Sequence, residues 1–302
     1  MQYRRGLKIS DIGEDSFIDL VTKKLISGKD VIAAAGDDCA VIKNHSKDSY
    51  TLLKTDSIVE SIHYLATDSP QAVGYKAMAR AISDIAAMGG TPQHALVTLI
   101  LDPKSKVSYL QSIYQGLSKA ALKFKISIVG GETTRAGETS KNSITISMTG
   151  TVPKDQCCFR HKGKPGQLLY VTGRLGGSLK GKHLKFTPRL KEANWLVRKF
   201  KPNAMMDLSD GLASDLPKLA KASNCGYEID LGALPRSRGS DIKSALSDGE
   251  DYELLFAISK LKRHALEKSW RKSFGNLKLT QIGALRSSDT YSPKLEGGWQ
   301  HF

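Results

Sequence analysis

One segment, SPQAVGYKAMARAISDIAAMGG (residues 69–90), constrains the fold of this 302-residue chain most. It opens with serine at an N-cap position and proline at the first helical position, and it closes with Gly-Gly, so it predicts one well-bounded helix. Its ARAISDIAAM portion presents an apolar face that only Asp84 interrupts. An aspartate inside a buried helix face lowers helix propensity and needs a partner, which favours a functional role for Asp84.

Helical and strand patterns mix along the whole chain. Helices are predicted for residues 7–30 and 106–124, and the alternating sequence of residues 142–152 predicts a strand. A polar stretch rich in Pro, Gly and Lys near 153–166 indicates a boundary. Since domains usually have about 100–200 residues, the length predicts two of them, each a mixed α+β unit. The predicted domains are residues 1–153 and 154–302.

Composition excludes several classes of protein. Hydrophobic residues make up 40% and charged residues 25%, which is ordinary for a soluble globular protein. The longest apolar stretch, residues 95–101, is far short of the roughly 20 that a membrane span needs. The basic N-terminus is followed by no apolar core of a secretory signal, and none of the four cysteines forms a CxxC pair. We therefore expect a cytoplasmic protein without a membrane partner, a zinc site or a disulfide framework.

The net charge of +15 is spread unevenly. Between Arg160 and Lys201 there are 12 Lys/Arg residues against one acid, Glu192, which accounts for +11 of the total. Three interpretations stay open for this stretch: a solvated basic surface or compositional habit, a site for a phosphate ligand, and a nucleic-acid surface. Nucleic acid is the weakest of the three because no recognised nucleic-acid motif accompanies the charge.

Acidic residues recur at the ends of predicted strands and in turns that Gly or Ser flanks, where a scaffold usually presents functional groups. They are Asp37, Asp38, Asp56, Asp84, Glu132, Asp207, Asp210, Glu250, Asp251 and Glu253. Each turn alone is more often structural than catalytic, but together they favour Mg²⁺, which prefers carboxylate oxygens.

The segment MDLSDGLASDL places three aspartates close together. If a helix begins near Gly211, Asp207 and Asp210 could face one ion at its N-terminal end. Asp215 would then lie inside that helix and point elsewhere, as a surface or structural residue.

Magnesium together with phosphate is consistent with phosphoryl transfer, in which a protein mainly positions groups and neutralises charge. The sequence contains no GxxxxGK[ST] P-loop, no HRD or DFG signature and no GxSxG elbow. A nucleotide-using enzyme with this sequence must therefore be of another type.

In their order and spacing, eight motifs resemble the thiamine-monophosphate kinase family, which belongs to a wider group of ATP-using enzymes that includes aminoimidazole ribonucleotide synthetase and selenophosphate synthetase. The resemblance covers residues 10–302. The motifs are GDDCAVI (36–42), TDSIVESIHY (55–64), YKAMARAISDIAAMGGTP (75–92), IVGGETTR (128–135), KPG (164–166), MDLSDGLASDL (205–215), GEDYELLF (249–256) and GWQHF (298–302).

The resemblance implies two mixed α/β domains of the aminoimidazole ribonucleotide synthetase type, with ATP between them. It implies a homodimer in which the N-terminal sheets pair across the two-fold axis. The implied reaction transfers a phosphoryl group from ATP to thiamine monophosphate, giving thiamine diphosphate and ADP, by direct in-line transfer with several Mg²⁺ ions.

The resemblance also assigns residues by matching motif positions. The implied metal ligands are Asp38, Thr55, Asp56, Asp84, Glu132, Asp207 and Asp210, of which Asp207 and Asp210 are also the catalytic residues. The implied ATP contacts are Gly131, Glu132, Arg160 and Ser209. The implied thiamine phosphate contacts are His63, Glu250 and Trp299, with Trp299 stacking on a thiamine ring.

Three positions depart from the family pattern. Lys54 precedes the Thr-Asp pair where the family often has serine, and a lysine cation cannot ligate Mg²⁺. It could use only its backbone carbonyl there, or its charge could replace that of one ion beside a phosphate. Glu132 stands where the family usually has aspartate, so its reach is longer, and Asp248 stands where the family has glycine.

Two other functions remain as alternatives. Another ATP-using enzyme of the same wide group, acting on a different phosphate or acyl substrate, would bind ATP without any dependence on thiamine. A nucleic-acid-binding protein, which only the basic stretch suggests, would show a steep salt dependence of binding.

Overall fold

The structure, a computed structural model, describes residues 6–300. The first half of the chain contains α1 (Ile9–Thr22), β1 (Val31–Ala33), β2 (Ala40–Lys43), β3 (Ser49–Val59), α2 (Pro70–Ala87), β4 (Thr91–Leu101), α3 (Val107–Phe124), β5 (Ser127–Arg135) and β6 (Ser143–Pro153). Its strands form one six-stranded sheet in the order β1-β2-β3-β6-β4-β5. Every neighbouring pair is antiparallel except β4 and β5, which α3 connects as a crossover helix.

The second half contains β7 (Leu168–Thr172), α4 (Leu190–Lys199), β8 (Ala204–Asp207), α5 (Leu212–Ala222), β9 (Gly226–Ile229), α6 (Ile242–Ser247), β10 (Leu254–Ile258), α7 (Arg263–Ser273) and β11 (Leu279–Arg286). Its five strands form an antiparallel sheet in the order β8-β10-β7-β11-β9. Each half of the chain therefore has its own sheet with helices against it. The boundary between 153 and 154 stays a prediction.

Helix α2 lies between the two halves. Fourteen of its 18 residues are buried, and it packs on β3 and β6 of its own sheet as well as on α4 and β8 of the second half. Small residues fill much of it, which allows neighbouring elements to approach from several sides. The helix therefore fixes the relative position of the two sheets, and any side chain that it carries inward lies near their junction.

The structure confirms most of the predicted elements. Helix α2 occupies the predicted segment and α3 matches residues 106–124, while the inner face of β6 is buried at every second residue, as its alternating sequence predicts. Ser69 stands at the N-cap of α2, but its side chain makes no capping hydrogen bond.

The prediction of a helix over residues 7–30 is wrong in extent. Helix α1 ends at Thr22, and at Gly13 the chain leaves helical geometry, with φ +73° and ψ 170°. No residue of α1 is buried. Because most helical stability in proteins comes from packing an apolar face, nothing extends this helix further.

The four cysteines, Cys39, Cys157, Cys158 and Cys225, are free thiols, and all but Cys225 are buried. None of the helices within residues 6–300 is long and apolar enough to cross a bilayer.

Candidate functional site

Three buried carboxylates from separate elements meet at the junction of the two halves. Asp38 lies before β2, Asp84 lies in the last turn of α2, and Asp207 ends β8. One carboxylate oxygen from each residue lies within 4.8 Å of the other two. We call these residues the carboxylate cluster, and oxygen donors of this kind are the ligands that Mg²⁺ prefers.

Without a cation, the carboxylate cluster would be costly to keep charged. Burial raises the pKa of Asp84 well above its ordinary range, and Asp207 opposes ionisation further. Burial and the neighbouring Asp38 raise the pKa of Asp207 to about 7, although Ser83 Oγ donates to its carboxylate at 2.6 Å. A divalent cation would offset both the burial and the repulsion, so these residues fit Mg²⁺.

Two protein cations flank the carboxylate cluster. Lys54 Nζ lies 2.9 Å from Asp84 Oδ1. Arg160 Nη2 donates to Asp38 Oδ1 at 2.5 Å, and the Arg160 backbone N–H donates to Asp37 Oδ2 at 3.1 Å. Arg160 therefore holds the Asp37–Asp38 turn in place, and its contact with ATP stays a prediction.

Asp56 lies beside the carboxylate cluster in a pair with Arg80. Arg80 donates to its two oxygens from Nε at 2.9 Å and from Nη2 at 3.1 Å. Burial alone would raise the pKa of Asp56, but Arg80 and Lys54 hold it below its ordinary value. Arg80 Nη1 also lies 3.6 Å from Glu250 Oε1, so one guanidinium connects a predicted metal ligand to a predicted substrate residue.

Glu250 lies in a strained loop before β10. Both Glu250 (φ +51°) and Tyr252 (φ +50°) adopt left-handed backbone conformations, which cost free energy for residues with a Cβ and cluster at functional sites. The Glu250 carboxylate lies 2.6 Å from Lys76 Nζ and 3.3 Å from His183 Nδ1. The loop therefore fixes Glu250 between α2 and the segment that contains His183.

Asp210 faces different neighbours from Asp207. Lys218 Nζ donates to its carboxylate at 2.7 Å, and the Asp210 backbone N–H donates to Asp215 Oδ2 at 3.0 Å. The turn between them passes through Gly211 with φ +98°, a conformation that favours glycine. The described carboxylates that come together as a possible metal site do not include Asp210, so its role as an ion ligand stays a prediction.

A surface position for Asp215 is wrong, whereas a structural one is right. Asp215 is only 1% exposed, because α5 turns this side of the helix toward the core of the second half. Backbone N–H groups near a helix N-terminus have no partner within the helix. The Asp215 carboxylate accepts from one such group, the N–H of Asp210 just before α5.

A cavity of about 120 Å³ collects five of the predicted site residues. Its lining residues are Ile62, His63, Arg80, Leu179, Ser209, Asp210, Asp248, Glu250, Tyr252 and Trp299. An adjoining cavity of about 420 Å³ shares Ile62, His63, Leu179 and Glu250 with it. All three predicted substrate residues thus line one cavity, and the Trp299 backbone N–H donates to the Asp210 carbonyl at 2.7 Å. The last two residues of the GWQHF motif lie outside the described residues.

Three predicted site residues are exposed on the six-stranded sheet, and Glu132 among them is not part of the carboxylate cluster. Thr55 is exposed, with Oγ1 3.4 Å from Ser147 Oγ, and Glu132 is exposed on β5. A Cβ at Gly131 would lie 1.8 Å from the carbonyl oxygen of Val97, so the packing of β5 on β4 alone requires a glycine there. The metal and ATP roles of these three residues stay predictions.

Sequence reasoning missed Lys76, Arg80, His183 and Lys218, which hold the predicted site residues. A signal was present for two of them, because Lys76, Arg80 and Asp84 follow each other at intervals of four and so share one helix face. His183 and Lys218 carry no comparable spacing, since only the tertiary fold brings them to Glu250 and Asp210.

Part of the basic stretch from Arg160 to Lys201 is used inside the protein. Besides Arg160, Arg189 Nε pairs with Glu253 at 2.6 Å and Lys182 Nζ lies 3.5 Å from Asp251. These cations compensate buried carboxylates near the site. The stretch is therefore not simply a solvated surface.

Comparisons with known proteins agree with this architecture. Residues 36–152 match the family described as AIR synthase related protein, N-terminal domain, and residues 167–269 match its C-terminal domain. A two-domain fold of mixed α and β structure, with carboxylates gathered at the junction, places the chain in this class of proteins.

Within that class, the chain belongs to the thiamine-monophosphate kinase family, and it is an enzyme of the kinase type. The thiamine-monophosphate kinase of Buchnera aphidicola (subspecies Schizaphis graminum) is 34% identical over 86% of this chain and 87% of its own length. A solved structure described as AaThiL complexed with AMPPCP and TMP superposes with a TM-score of 0.83 at 30% identity, over 99% of this chain and all of that one. The thiamine monophosphate kinase of Aquifex aeolicus gives a TM-score of 0.76 at 28% identity, over 95% of this chain and all of that one.

Proposed function

We propose that this chain transfers the terminal phosphoryl group of ATP to thiamine monophosphate, forming thiamine diphosphate and ADP by direct in-line transfer. The observation that carries the proposal is that the carboxylate cluster and the cavity lined by His63, Glu250 and Trp299 lie side by side. Arg80 connects the two, since it contacts both Asp56 and Glu250. Family membership and the relative whose description includes AMPPCP and TMP support the same activity.

Asp38, Asp84 and Asp207 would hold Mg²⁺, with the other predicted ligands, Thr55, Asp56, Glu132 and Asp210, as further candidates. The metal would supply charge neutralisation and orientation for the polyphosphate. Arg160 and Ser209 stand at the junction of the two halves, where they would contact ATP together with the backbone near Gly131 and Glu132.

The cavity suits a substrate that combines a flat cationic ring system with a phosphate. Trp299 and Tyr252 provide aromatic surface, and Glu250 provides a carboxylate that the loop fixes in place. Aromatic faces and carboxylates both attract a cationic ring. Arg80 provides the only guanidinium among the lining residues, suited to a phosphate oxygen.

Asp210 would act where the two sites meet. It lines the cavity, its backbone carbonyl accepts from Trp299, and only two residues separate it from Asp207. Phosphoryl transfer depends on position and charge more than on covalent chemistry from side chains. We assign Asp207 and Asp210 to that positioning role.

We also propose that the enzyme is a homodimer. The face of the six-stranded sheet opposite α2 exposes Leu53, Leu96 and Val129, which lie along a groove of about 550 Å³. An exposed apolar patch on a sheet is typical of a protein interface.

The direct test is to incubate the protein with ATP, Mg²⁺ and thiamine monophosphate and to separate the products by chromatography. We expect thiamine diphosphate only when all three are present. ATP binding without product would instead favour another ATP-using enzyme of the same wide group. A parallel panel of other phosphorylated acceptors would then identify that substrate.

A further inference from the structure

Protein cations neutralise only part of the negative charge of the carboxylate cluster. Asp38, Asp84 and Asp207 bring three negative charges, and the Lys54 ammonium, 2.9 Å from Asp84, brings one positive charge. The flanking residues add two negative charges, Asp37 and Asp56, and two positive charges, Arg80 and Arg160, and these cancel. Either way, two negative charges remain, which is the charge of one divalent cation.

We propose that Lys54 is a permanent cation of the carboxylate cluster, so that the nucleotide-free enzyme binds one divalent ion there and not two. The inference rests on the proposed magnesium role of the cluster. A lysine ammonium is a compact point charge with three donors and no acceptor, so it can satisfy carboxylates as a small cation does but cannot ligate a metal.

The backbone of Lys54 is held in the sheet by β6. Lys54 lies inside β3 opposite Met148 of β6, one residue beyond Leu53, where the pairing of β3 with β2 ends. Its side chain leaves the inner face of the sheet toward α2 and reaches Asp84 from there. A second divalent ion next to Asp84 would have to share that space with the ammonium, which repels it.

The Lys54 side chain keeps 22% of its surface exposed and the Asp84 side chain keeps 11%, so neither partner of this pair is completely enclosed. We expect Lys54→Ser to fold, because water or a metal ion can enter the position that the ammonium leaves.

The test is to count bound Mn²⁺, which accepts the same oxygen ligands as Mg²⁺, on the full-length protein without nucleotide. The six-line electron paramagnetic resonance signal of free Mn²⁺ gives the number bound, and two ions about 4 Å apart broaden each other's spectrum. We expect one tightly bound ion in the wild type and two, with mutual broadening, in Lys54→Ser, which removes the charge and offers a hydroxyl oxygen.

Two further variants separate charge from general damage. Lys54→Arg keeps the positive charge and should keep one ion. Lys43→Ser removes an exposed lysine of the same sheet, on β2 and distant from the carboxylate cluster, and should also keep one ion. Circular dichroism and the melting temperature confirm that each variant is folded.

The possible results are distinguishable. A coupled pair of ions in the wild type, or the same single ion in wild type and Lys54→Ser, would overturn the role of Lys54 while leaving the metal site in place. No bound ion in any of the proteins would overturn the magnesium role of the carboxylate cluster and this inference with it. Formation of thiamine diphosphate, measured separately, would show whether the proposed activity stands.

Discussion

The fully buried ammonium of Lys76 lies 2.6 Å from Glu250 Oε2, and this ion pair joins α2 of the first half to the loop before β10 of the second. Lys76 Nζ also donates to the His63 carbonyl at 2.5 Å. One buried lysine thus holds two of the three predicted substrate residues. Burial lowers the pKa of Lys76, and Glu250 only partly offsets that effect.

We predict that Lys76→Met raises the KM for thiamine monophosphate more than it lowers kcat, because Glu250 and the His63 segment lose their common anchor. It should also lower the free energy of unfolding by about 3 kcal/mol, the low end for a broken buried pair, since Arg80 and His183 still contact Glu250. Steady-state kinetics and urea unfolding measure the two effects. Lys119→Met, on the exposed side of α3, is the matched control, and an equal change in both variants would contradict the role of Lys76.

Asp207→Asn should remove at least about a hundredfold of kcat, the scale of losing one preorganised charge contact in a phosphoryl-transfer site. The melting temperature should stay the same or rise. The substitution removes both the repulsion from Asp38 and the cost of burying a negative charge, the two effects that raise the pKa of Asp207. Kinetics at saturating substrate and calorimetry check both parts. Asp19→Asn on the exposed surface of α1 is the control, and an Asp207→Asn enzyme with unchanged kcat would refute the metal assignment.

Asp215→Ala should destabilise the protein although Asp215 is not itself a predicted site residue. The Asp210 backbone N–H would lose its acceptor, at a cost of about 1–3 kcal/mol, and Asp210 would be less well fixed in the cavity. We expect a lower free energy of unfolding together with a reduced kcat. Asp215→Asn retains an acceptor oxygen and should recover most of both quantities; if it behaves like the alanine variant, the hydrogen bond is not what matters.

These residues show how far the sequence could predict the site. Asp84 was predicted to be buried and in need of a partner, because it interrupts an otherwise apolar helix face and a buried carboxylate needs a partner. The partner itself, Lys54, comes from a strand 30 residues earlier, and only the packing of α2 on β3 brings the two together.

Apolar periodicity predicted helices and strands correctly where the apolar face is buried by packing, and it was wrong where that face stays exposed. Helix α2 and strand β6 have a strong apolar period and matched the prediction, whereas α1 has helical spacing but no buried face and ends early. Asp215 was misplaced for the related reason that a polar residue in a short helix looks exposed until its hydrogen-bond partner is known.

Acid should weaken the protein partly through His183. Burial and the neighbouring Lys76 lower the pKa of His183, although Glu250 and Asp68 oppose this. At a pH below the ordinary pKa of histidine, the unfolded chain takes up a proton at this side chain that the folded chain resists. The free energy of unfolding therefore falls as the pH drops from that ordinary pKa toward the lower pKa of His183 in the folded protein. We expect His183→Asn, which can still donate to Glu250, to lose less stability between pH 7.5 and 5.5 than the wild type in urea unfolding. His264→Asn, on the exposed surface of α7, should follow the wild type; a wild-type pH dependence in His183→Asn would contradict this assignment.

The exposed apolar face of the six-stranded sheet gives a final prediction. Leu96 is 46% exposed and Val129 is 58% exposed on adjacent strands, and both line the same groove. Burying such side chains against a second copy contributes roughly 25 cal/mol per Å² of apolar surface, whereas a buried unpaired charge there is strongly unfavourable. Light scattering after size-exclusion chromatography should therefore give the mass of a dimer for the wild type and of a monomer for Leu96→Glu. Leu261→Glu, which changes a leucine that is 95% exposed in the second half, should remain dimeric. A monomeric wild type, or a Leu96→Glu variant that keeps the dimer mass, would show that this face is not the interface.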